Sequence, residues 1–354
     1  MKETVINKLP DDPGVGLTDW FEKMTPFVRD HTRRQVEFKR RHWPGLADGR
    51  LVQRPNRIYP HILPDGNRDK TFIDPSVNDY MAKNDIAYHT ASLNLRSSQA
   101  CCLNFLYPLR QDAQPARTVL KGWFPGLSEV RGIEFEYTGP IEATVWLGEP
   151  PGGKRGLNRT SADAAIWWTA SDGAPRLTLV EWKYTEKDFG PCGGYKLGPR
   201  YQRDVCNSLD VRWVEPARDC YVSNNKDPRT SRHYWQRMKD ARIHPEVFKK
   251  EGCPFRGPLY QLLRLQLLAH WLETNTEDTV DVAVACFKGN QDLMRSRTYL
   301  KHLDRYLPSA WRVFLAEPER FQVLYVEDLM AHCDYLSNVA TSPWREYLRE
   351  RYGV

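Results

Sequence analysis

An ordered series of helical and strand patterns begins at Ser97 and limits the folds that the chain can adopt. The segment SSQACCLNFLYPL opens with a serine cap and continues as an apolar helix, which Pro108 is expected to end. Alternating side chains then predict a hairpin, with strands at 133–137 and 141–147 joined by a Thr-Gly-Pro turn.

Later segments complete this series. Two strands, Asp163 to Trp168 and Leu177 to Tyr184, are joined by a Ser-Asp-Gly turn. A helix follows from Pro258 to Glu273, and further strands are predicted at 280–287 and 321–326. The order of helix, three antiparallel strands, helix and strand predicts an α/β fold with an αβββαβ core around a mixed central sheet.

Composition excludes several classes of protein. The 354 residues are 41% hydrophobic and 12% aromatic, which indicates a folded globular chain. No run reaches the roughly 18 apolar residues of a membrane-spanning helix, because Arg264 and Gln266 interrupt the best candidate. The N-terminus MKETVINKLPDD lacks the apolar stretch of a secretory signal, so we expect a cytoplasmic protein with reduced cysteines and no membrane partner.

The chain is expected to divide into two parts. Residues 1–85 predict an N-terminal extension whose helix, from Asp19 to Trp43, carries many basic side chains. A solvated helix surface explains these charges more simply than phosphate contact does. Residues 86–354 are predicted to form the main domain, with an insertion at about 185–258.

Charged side chains share one face of the strand from Leu177 to Tyr184. Glu181 and Lys183 are two residues apart and therefore point the same way. If the preceding turn is centred on Asp172, Asp163 lies directly across from Glu181, with Cβ atoms roughly 5 Å apart. Two carboxylates at this distance repel unless one is protonated or a cation sits between them. We therefore predict a divalent cation, Mg²⁺ or Mn²⁺, with Lys183 placed to orient or deprotonate a water.

A surface cluster is the alternative explanation of these residues. On the Glu-x-Lys spacing alone, Glu181 and Lys183 would merely neutralise each other, because such triplets are frequent. The apolar run before Glu181 favours a buried strand instead, where an unpaired charge is costly. A slip of one residue would send Asp163 to the other face, so the hypothesis depends on the strand register.

The helix from Pro258 to Glu273 carries polar groups on its inner face. With about 100° per residue, Gln261 and Arg264 lie among leucines and opposite the solvent-facing stripe. Backbone groups within the core could satisfy their hydrogen bonds. Alternatively, Arg264 binds a substrate phosphate and Gln261 positions a water or a base edge.

These residues together resemble the PD-(D/E)XK nuclease superfamily. Asp163, then Glu181-x-Lys183 on the following strand, then a glutamine-bearing helix follow the order of its motif. The chain also resembles one bacterial family of restriction endonucleases in that superfamily. The resembling segments are SSQACCLNFLYPL, EFEYTGP, RTSADAAI, LVEWKYTE and CPFRGPLYQLLRLQLLAHWL. The resemblance implies a restriction-endonuclease-like fold and Mg²⁺-dependent hydrolysis of phosphodiester bonds.

The resemblance also implies a role for each matching residue. Asp163 and Glu181 would be metal ligands, and Lys183 would be the catalytic lysine. Gln261 resembles the glutamine of the Q-x-x-x-Y helix in RecB-type nucleases. Leu265 stands where that motif has tyrosine.

Two other departures concern the motif and its acids. Ala162 replaces the proline of the motif, which shapes a turn rather than binding metal. Many relatives supply another acid from the first helix, where this chain has Gln99 and Asn104. Glu134 or Glu136 on the neighbouring strand could substitute, and we select Glu136 as the third metal ligand.

The insertion at 185–258 concentrates the positive charge of the chain. It holds 15 Lys and Arg against 10 Asp and Glu, a net charge of +5 out of +6 for the whole chain. Aromatic residues are interleaved with these cations, which suits phosphate contact and base stacking. We therefore predict nucleic-acid contacts from Arg232, Tyr234 and Trp235 in addition to Arg264. A solvated lobe that covers the sheet edge is the alternative.

Four of the eight cysteines, Cys192, Cys206, Cys220 and Cys253, lie in this insertion. Some RecB-type nucleases carry an iron–sulfur cluster, but gaps of 14, 14 and 33 residues match no tight spacing of metal ligands. Ordinary buried thiols are therefore favoured over an iron–sulfur cluster or a zinc site.

The predicted function is a cytoplasmic prokaryotic nuclease that cuts DNA in restriction, defence or repair. A module that binds nucleic acid without cutting it is the alternative from another class, and a structural subunit of a larger defence or repair complex is a third. A homo-oligomer or separate defence-system subunits are compatible with each. The sequence has no G-x-x-x-x-G-K-[ST] loop, so any ATP-driven motor would be a separate chain.

Overall fold

A five-stranded sheet forms the centre of the described chain. The computed structural model describes residues 21–156, 158–198, 200–211, 216–223, 231–334 and 342–354. A small hairpin of two strands precedes the sheet in the sequence. The strands are β1 (Gly49–Leu51), β2 (Arg54–Tyr59), β3 (Leu127–Tyr137), β4 (Ala162–Ala170), β5 (Pro175–Trp182), β6 (Thr279–Cys286) and β7 (Phe321–Tyr325).

Helices cover both faces of this sheet, and none in the described residues is long and apolar enough to cross a membrane. They are α1 (Pro26–His42), α2 (Val77–Lys83), α3 (Ser98–Gln111), α4 (Ala113–Leu120), α5 (Ile141–Trp146), α6 (Gly193–Leu197), α7 (Arg200–Ser208), α8 (Pro216–Asp219), α9 (Tyr234–Asp240), α10 (Leu259–Asn275), α11 (Leu307–Arg312), α12 (Val326–Asp334) and α13 (Pro343–Tyr352). Single 3₁₀ turns lie at Arg68–Thr71, Pro245–Val247, Pro254–Arg256, Thr298–Leu300 and Pro318–Arg320.

The strands of the sheet lie in the order β3-β4-β5-β6-β7. β3 and β5 both run antiparallel to β4, whereas β6 runs parallel to β5 and to β7. Parallel neighbours need a crossover connection, which α10 provides between β5 and β6. The predicted α/β fold with a mixed central sheet is therefore confirmed.

The hairpin predicted directly after β3 is wrong. Residues 141–146 form α5 instead of a strand, and the antiparallel neighbour of β3 is β4. Gly139 has a φ of +68°, and the chain enters α5 directly after Pro140. Proline fits the first positions of a helix because it has no backbone N–H to leave unpaired there. The Thr-Gly-Pro segment therefore begins a helix rather than closing a hairpin.

The predicted end of α3 is also wrong, since Pro108 lies inside the helix. A proline in a helix leaves the carbonyl four residues earlier without its usual N–H partner. That carbonyl, on Asn104, accepts a 2.9 Å hydrogen bond from the indole Nε1 of Trp344 in α13 instead. Because α13 supplies this donor, α3 continues for three residues beyond Pro108.

Two hydrophobic layers enclose the sheet. One lies against α3, α4, α12 and α13, and the other lies against α10 and α11. Side chains from the first 85 residues, including Phe72, Val77 and Tyr80, belong to the first layer. Because both faces of the sheet are packed, the ends of its strands are held in fixed positions.

The basic helix α1 is anchored to the rest of the fold by polar contacts. It begins at Pro26, and residues 1–20 lie outside the described part of the chain. Lys39 is buried and its Nζ lies 2.5 Å from Oδ1 of Asp48. Gln35 Nε2 donates to the hydroxyl of Tyr184 at 2.9 Å. Part of the polar surface of α1 thus faces the interior rather than solvent.

Candidate active site

The pairing of β4 with β5 has the register that the turn at Asp172 predicts. Ala164 lies opposite Val180, and the same pairing continued by one residue puts Asp163 opposite Glu181. The backbone N–H of Trp182, the last residue of β5, donates to Oδ2 of Asp163 at 2.6 Å. This bond fixes the position of the Asp163 carboxylate. The two acids therefore lie side by side on neighbouring strands.

Glu136 adds a third carboxylate on the other side of Asp163. Phe135 in β3 pairs with Ala164 in β4, so the next residue, Glu136, lies across from Asp163. Glu136 has a φ of +49°, which is unusual for a residue other than glycine and costs of order 1–2 kcal/mol. Such strain often marks a functional position. We call Glu136, Asp163 and Glu181 the acidic row.

Three side chains hold the carboxylate of Glu136. Gln99 in α3 donates from Nε2 to Oε1 at 2.8 Å, Ser161 donates from Oγ to Oε2 at 3.2 Å, and His89 Nε2 lies 3.3 Å from Oε1. Burial opposes ionisation of Glu136, but these three contacts outweigh it and lower its pKa. The contact with Glu136 also raises the pKa of His89, against the effect of burial.

The ionised form of the Asp163 carboxyl group is disfavoured in the acidic row. Burial raises its pKa well above the usual value, and the neighbouring carboxylates of Glu181 and Glu136 raise it further. Lys183 and the N–H of Trp182 compensate for only part of this effect. A cation among these oxygens would remove the conflict, and carboxylate oxygens suit a hard divalent ion. Within the described residues, however, no three potential ligand side chains already have the geometry of a metal site.

Lys183 forms a buried ion pair with Glu181. Its Nζ lies 2.6 Å from Oε1, and the two side chains are 9% and 7% exposed. Burial disfavours the ammonium form, but Glu181, Glu186 and Asp163 outweigh it and raise the pKa of Lys183. Lys183 thus neutralises the charge of Glu181, which the alternative of a surface cluster also predicts. The pair, however, lies in the interior of the protein and not on a solvated face of the sheet.

A cleft of about 590 Å³ opens over the acidic row. Besides these acids and Lys183, Gln261 and Arg264 line it from α10. The structure thus brings together the five residues predicted from β4, β5 and α10, and the predicted third acid as well. Oε1 of Gln261 accepts a 2.9 Å hydrogen bond from the N–H of Gly190, which orients the side-chain amide.

Arg264 is largely occupied by protein partners. Its Nε donates to the hydroxyl of Thr160 at 3.0 Å, its Nη1 to the carbonyl of Gly156 at 3.3 Å, and its Nη2 lies 3.5 Å from Oε1 of Glu149. Glu149 is buried and also accepts a 2.5 Å hydrogen bond from the hydroxyl of Tyr234. These bonds favour an internal structural role for Arg264, the first of the two alternatives considered.

The other residues predicted to contact nucleic acid do not line the cleft. Arg232 is buried and donates to the carbonyls of Gly148 and Asn158 at 3.2 and 3.3 Å. Tyr234 is buried beside Glu149, and Trp235 packs edge-on against Phe255 at 5.5 Å. Burial therefore speaks against direct contact with nucleic acid for Arg232 and Tyr234, because their polar atoms already bind the protein.

We predict that Glu149→Gln lowers the free energy of unfolding by about 3 kcal/mol, because it leaves the buried guanidinium of Arg264 without its counter-charge. Chemical denaturation of both proteins measures the difference. Glu277→Ala, which changes an exposed acid, should alter stability by no more than about 0.5 kcal/mol. An equally small effect of Glu149→Gln would contradict the structural role of Arg264.

Several residues of this site had no clear signal in the sequence. His89 lies outside any helix or strand, and Glu149 lies in a Gly- and Pro-rich connection. Gln99 did have a signal in the sequence, because it is a polar residue in an otherwise apolar stretch of α3. Its side chain donates the hydrogen bond that holds Glu136.

Comparison with known proteins identifies the family. Neither the curated proteins nor the solved structures include a match to this chain. The sequence model of the family REase-ARP, described as Restriction Endonuclease associating with ARP, matches residues 37–353. The matched range contains all five strands of the central sheet, the acidic row and α10. The chain therefore belongs to the REase-ARP family of restriction endonucleases associating with ARP.

Proposed function

We propose that this chain is a metal-dependent nuclease that hydrolyses phosphodiester bonds in DNA. The acidic row beside Lys183 is the observation that carries the proposal. Glu136 and Glu181 are buried and Asp163 is half-buried. The raised pKa of Asp163 shows that positive charge is short among these carboxylates, and such an arrangement points to function. The restriction-endonuclease family supports this chemistry. The order α3, β3, β4, β5, α10, β6 is also the order expected for a PD-(D/E)XK core.

The acidic row is proposed to hold the metal ion. Asp163 and Glu181 are the main ligands, and Glu136 completes the set with oxygens of the kind that Mg²⁺ and Mn²⁺ prefer. When bound, the ion supplies positive charge to the phosphate oxygens and lowers the pKa of a coordinated water.

Lys183 is proposed to act through its charge. Its ammonium group is stabilised by Glu181, Glu186 and Asp163, so in this state Nζ donates hydrogen bonds rather than accepting a proton. It can orient the attacking water and stabilise the negative charge that develops on the phosphate. Glu181 positions Nζ for this task through their 2.6 Å contact.

Gln261 is proposed to position the substrate. Its Oε1 is held by the N–H of Gly190, which fixes the plane of the amide in the cleft. The Nε2 group can then donate to a phosphate oxygen or to the edge of a base. Gln261 therefore keeps the role that its sequence position implies, even though Leu265 replaces the tyrosine of the RecB-type motif.

A second pocket supports nucleic acid as the substrate. It has a volume of about 710 Å³. The two pockets share a stretch of the chain, because Glu186 lines the cleft and the next residue, Lys187, lines this pocket. Ser296, whose buried hydroxyl has no hydrogen-bond partner among the described residues, also lines it. We call it the basic pocket, after the cations that line it: Lys187, Arg295, Arg297, Lys301 and Arg305.

We expect the double substitution Lys301→Ala and Arg305→Ala to weaken DNA binding uniformly across sequences. Each phosphate that the variant no longer binds should reduce the slope of log affinity against log salt by about 0.9. Fluorescence anisotropy over a range of salt concentrations measures both effects. Arg117→Ala with Lys121→Ala is the control and should bind as the wild type does, because Arg117 lies on α4, Lys121 directly follows it and neither lines either pocket. Unchanged binding by the first variant would exclude the basic pocket as a phosphate site.

A non-catalytic module that binds nucleic acid is the alternative, and turnover distinguishes the two. Supercoiled DNA, linear DNA and RNA are incubated with the protein and Mg²⁺, Mn²⁺ or EDTA, while salt-dependent binding is measured in parallel. Cleavage that requires the metal supports a nuclease, and comparison of the three substrates shows which nucleic acid is cut and whether free ends are needed. Binding without cleavage under every condition supports the binding module.

The biological setting follows from the family by analogy. We propose a role in prokaryotic restriction or defence, or in repair, within the cytoplasm. Separate subunits of such a system, or further copies of this chain, would be its partners. The proposed nuclease domain covers residues 86–354, with residues 1–85 as an N-terminal extension and 185–258 as an insertion.

A further inference from the structure

The four cysteines of the insertion converge in space, although they are far apart in the sequence. The backbone N–H of Cys253 donates to the carbonyl of Cys206 at 2.7 Å. The N–H of Cys192 donates to the carbonyl of Arg256 at 3.3 Å, and Arg256 Nη1 donates back to the carbonyl of Cys253 at 2.9 Å. The segments that carry Cys192, Cys206 and Cys253 are thus joined by backbone contacts.

Cys220 lies in the segment that packs against α6, just after Cys192. At Gly194, an added Cβ would lie 2.9 Å from Val222, 3.3 Å from Tyr221 and 3.8 Å from Sγ of Cys192. Only glycine permits such a close approach, so the segment after Cys220 packs tightly beside the thiol of Cys192. The four segments that carry the cysteines therefore lie next to one another.

We propose that Cys192, Cys206, Cys220 and Cys253 form a tetrathiolate metal centre, which binds zinc or an iron–sulfur cluster and holds the insertion together. Four thiolates suit either kind of centre. Among the described residues, no three potential ligand atoms lie close enough together to hold a metal ion. Binding of the metal would therefore draw the four sulfur atoms together and release the thiol protons. This structural centre is separate from the acidic row and does not depend on the proposed nuclease activity.

The architecture of the insertion explains why it would need such a centre. Its helices are short, with five residues in α6, nine in α7 and seven in α9. Segments of this size bury too little apolar surface to stabilise themselves, and small folds often rely on metals or disulfides. The linear gaps of 14, 14 and 33 residues are no obstacle, because the ligands come from four separate loops and helices.

Metal analysis of the full chain, purified without oxygen, tests the proposal. We expect either about one zinc per chain without acid-labile sulfide, or iron with matching sulfide and a visible absorbance band. Either result supports the centre and identifies it. A well-folded chain with neither metal, whose four insertion cysteines all react with a thiol reagent under native conditions, would overturn it.

Substitutions then assign the metal to its ligands. Cys206→Ser with Cys220→Ser changes the two less buried cysteines and should remove most of the bound metal. Cys333→Ser, in α12, should leave the metal content unchanged. If the double variant fails to fold, release of metal from the wild type by a chelator, followed by a lower Tm, gives the same assignment of a structural metal. Equal metal content in all three proteins would contradict the proposed ligands.

Discussion

Lys183→Ala is expected to lower the rate of DNA cleavage by about a hundred- to a thousandfold at saturating metal, the effect typical of removing one preorganised donor from a transition state. The lysine contacts the acidic row directly, and the structure holds it as an ammonium through Glu181, Glu186 and Asp163. Single-turnover cleavage measures the chemical step separately from binding. Lys183→Arg, which retains the charge but not the shape of the group, should recover only part of the rate.

Lys288→Ala is the matched control for this prediction. Lys288 follows the carboxyl end of the neighbouring strand β6, but it is exposed and pairs with Asp328 outside the cleft. Its substitution should leave the cleavage rate unchanged. If Lys183→Ala and Lys288→Ala both cut at the wild-type rate, Lys183 has no part in catalysis, and its contact with Glu181 is only a structural ion pair.

Asp163→Asn is expected to raise the Tm of the metal-free protein and to abolish its stabilisation by Mg²⁺. The folded-state pKa of Asp163 is raised, so its carboxyl group destabilises the fold increasingly as pH rises from the unfolded value of about 3.9 through the folded pKa. Asparagine mimics the protonated form and should be more stable at neutral pH by about 1 kcal/mol, or roughly 2 °C. Mg²⁺ at a hundred times its Kd should add about 2.7 kcal/mol to the wild type alone.

Thermal unfolding with and without Mg²⁺ measures both parts of this prediction. Asp172→Asn is the control, because Asp172 lies at the turn of the same hairpin and accepts a hydrogen bond from the N–H of Ala174 that asparagine can also accept. That variant should keep the shift with Mg²⁺. A shift retained in Asp163→Asn would show that Mg²⁺ stabilises the protein from another site.

The centre of the site could be predicted from sequence because its geometry is local. A two-strand unit with a Ser-Asp-Gly turn sets its own register, and Gly173 with a φ of +84° supplies the backbone conformation that the turn needs. This register alone is enough to place Asp163 beside Glu181. The inner face of α10 likewise follows from helical periodicity, and this face carries Gln261 and Arg264 to the same cleft.

The errors arose where tertiary contacts override local preference. Pro108 would normally end α3, but Trp344, more than two hundred residues later, supplies the missing hydrogen bond. The hairpin pattern predicts a returning strand at 141–147, yet residues 141–146 form α5, and β4 is the neighbour of β3. The cations and aromatics of the insertion suggested a nucleic-acid surface, but Arg232 and Tyr234 face inward. Trp213, another aromatic residue of the insertion, lies outside the described residues.

Cleavage of supercoiled DNA by the wild type and by Asp163→Asn, each with Mg²⁺ and with EDTA, is the direct test of a catalytic metal in the acidic row. We expect that the wild type cuts with Mg²⁺ and not with EDTA, and that Asp163→Asn fails to cut although it binds DNA and is at least as stable. Equal cleavage by both proteins, or cleavage by the wild type that persists in EDTA, would contradict the claim that the acidic row binds the catalytic metal.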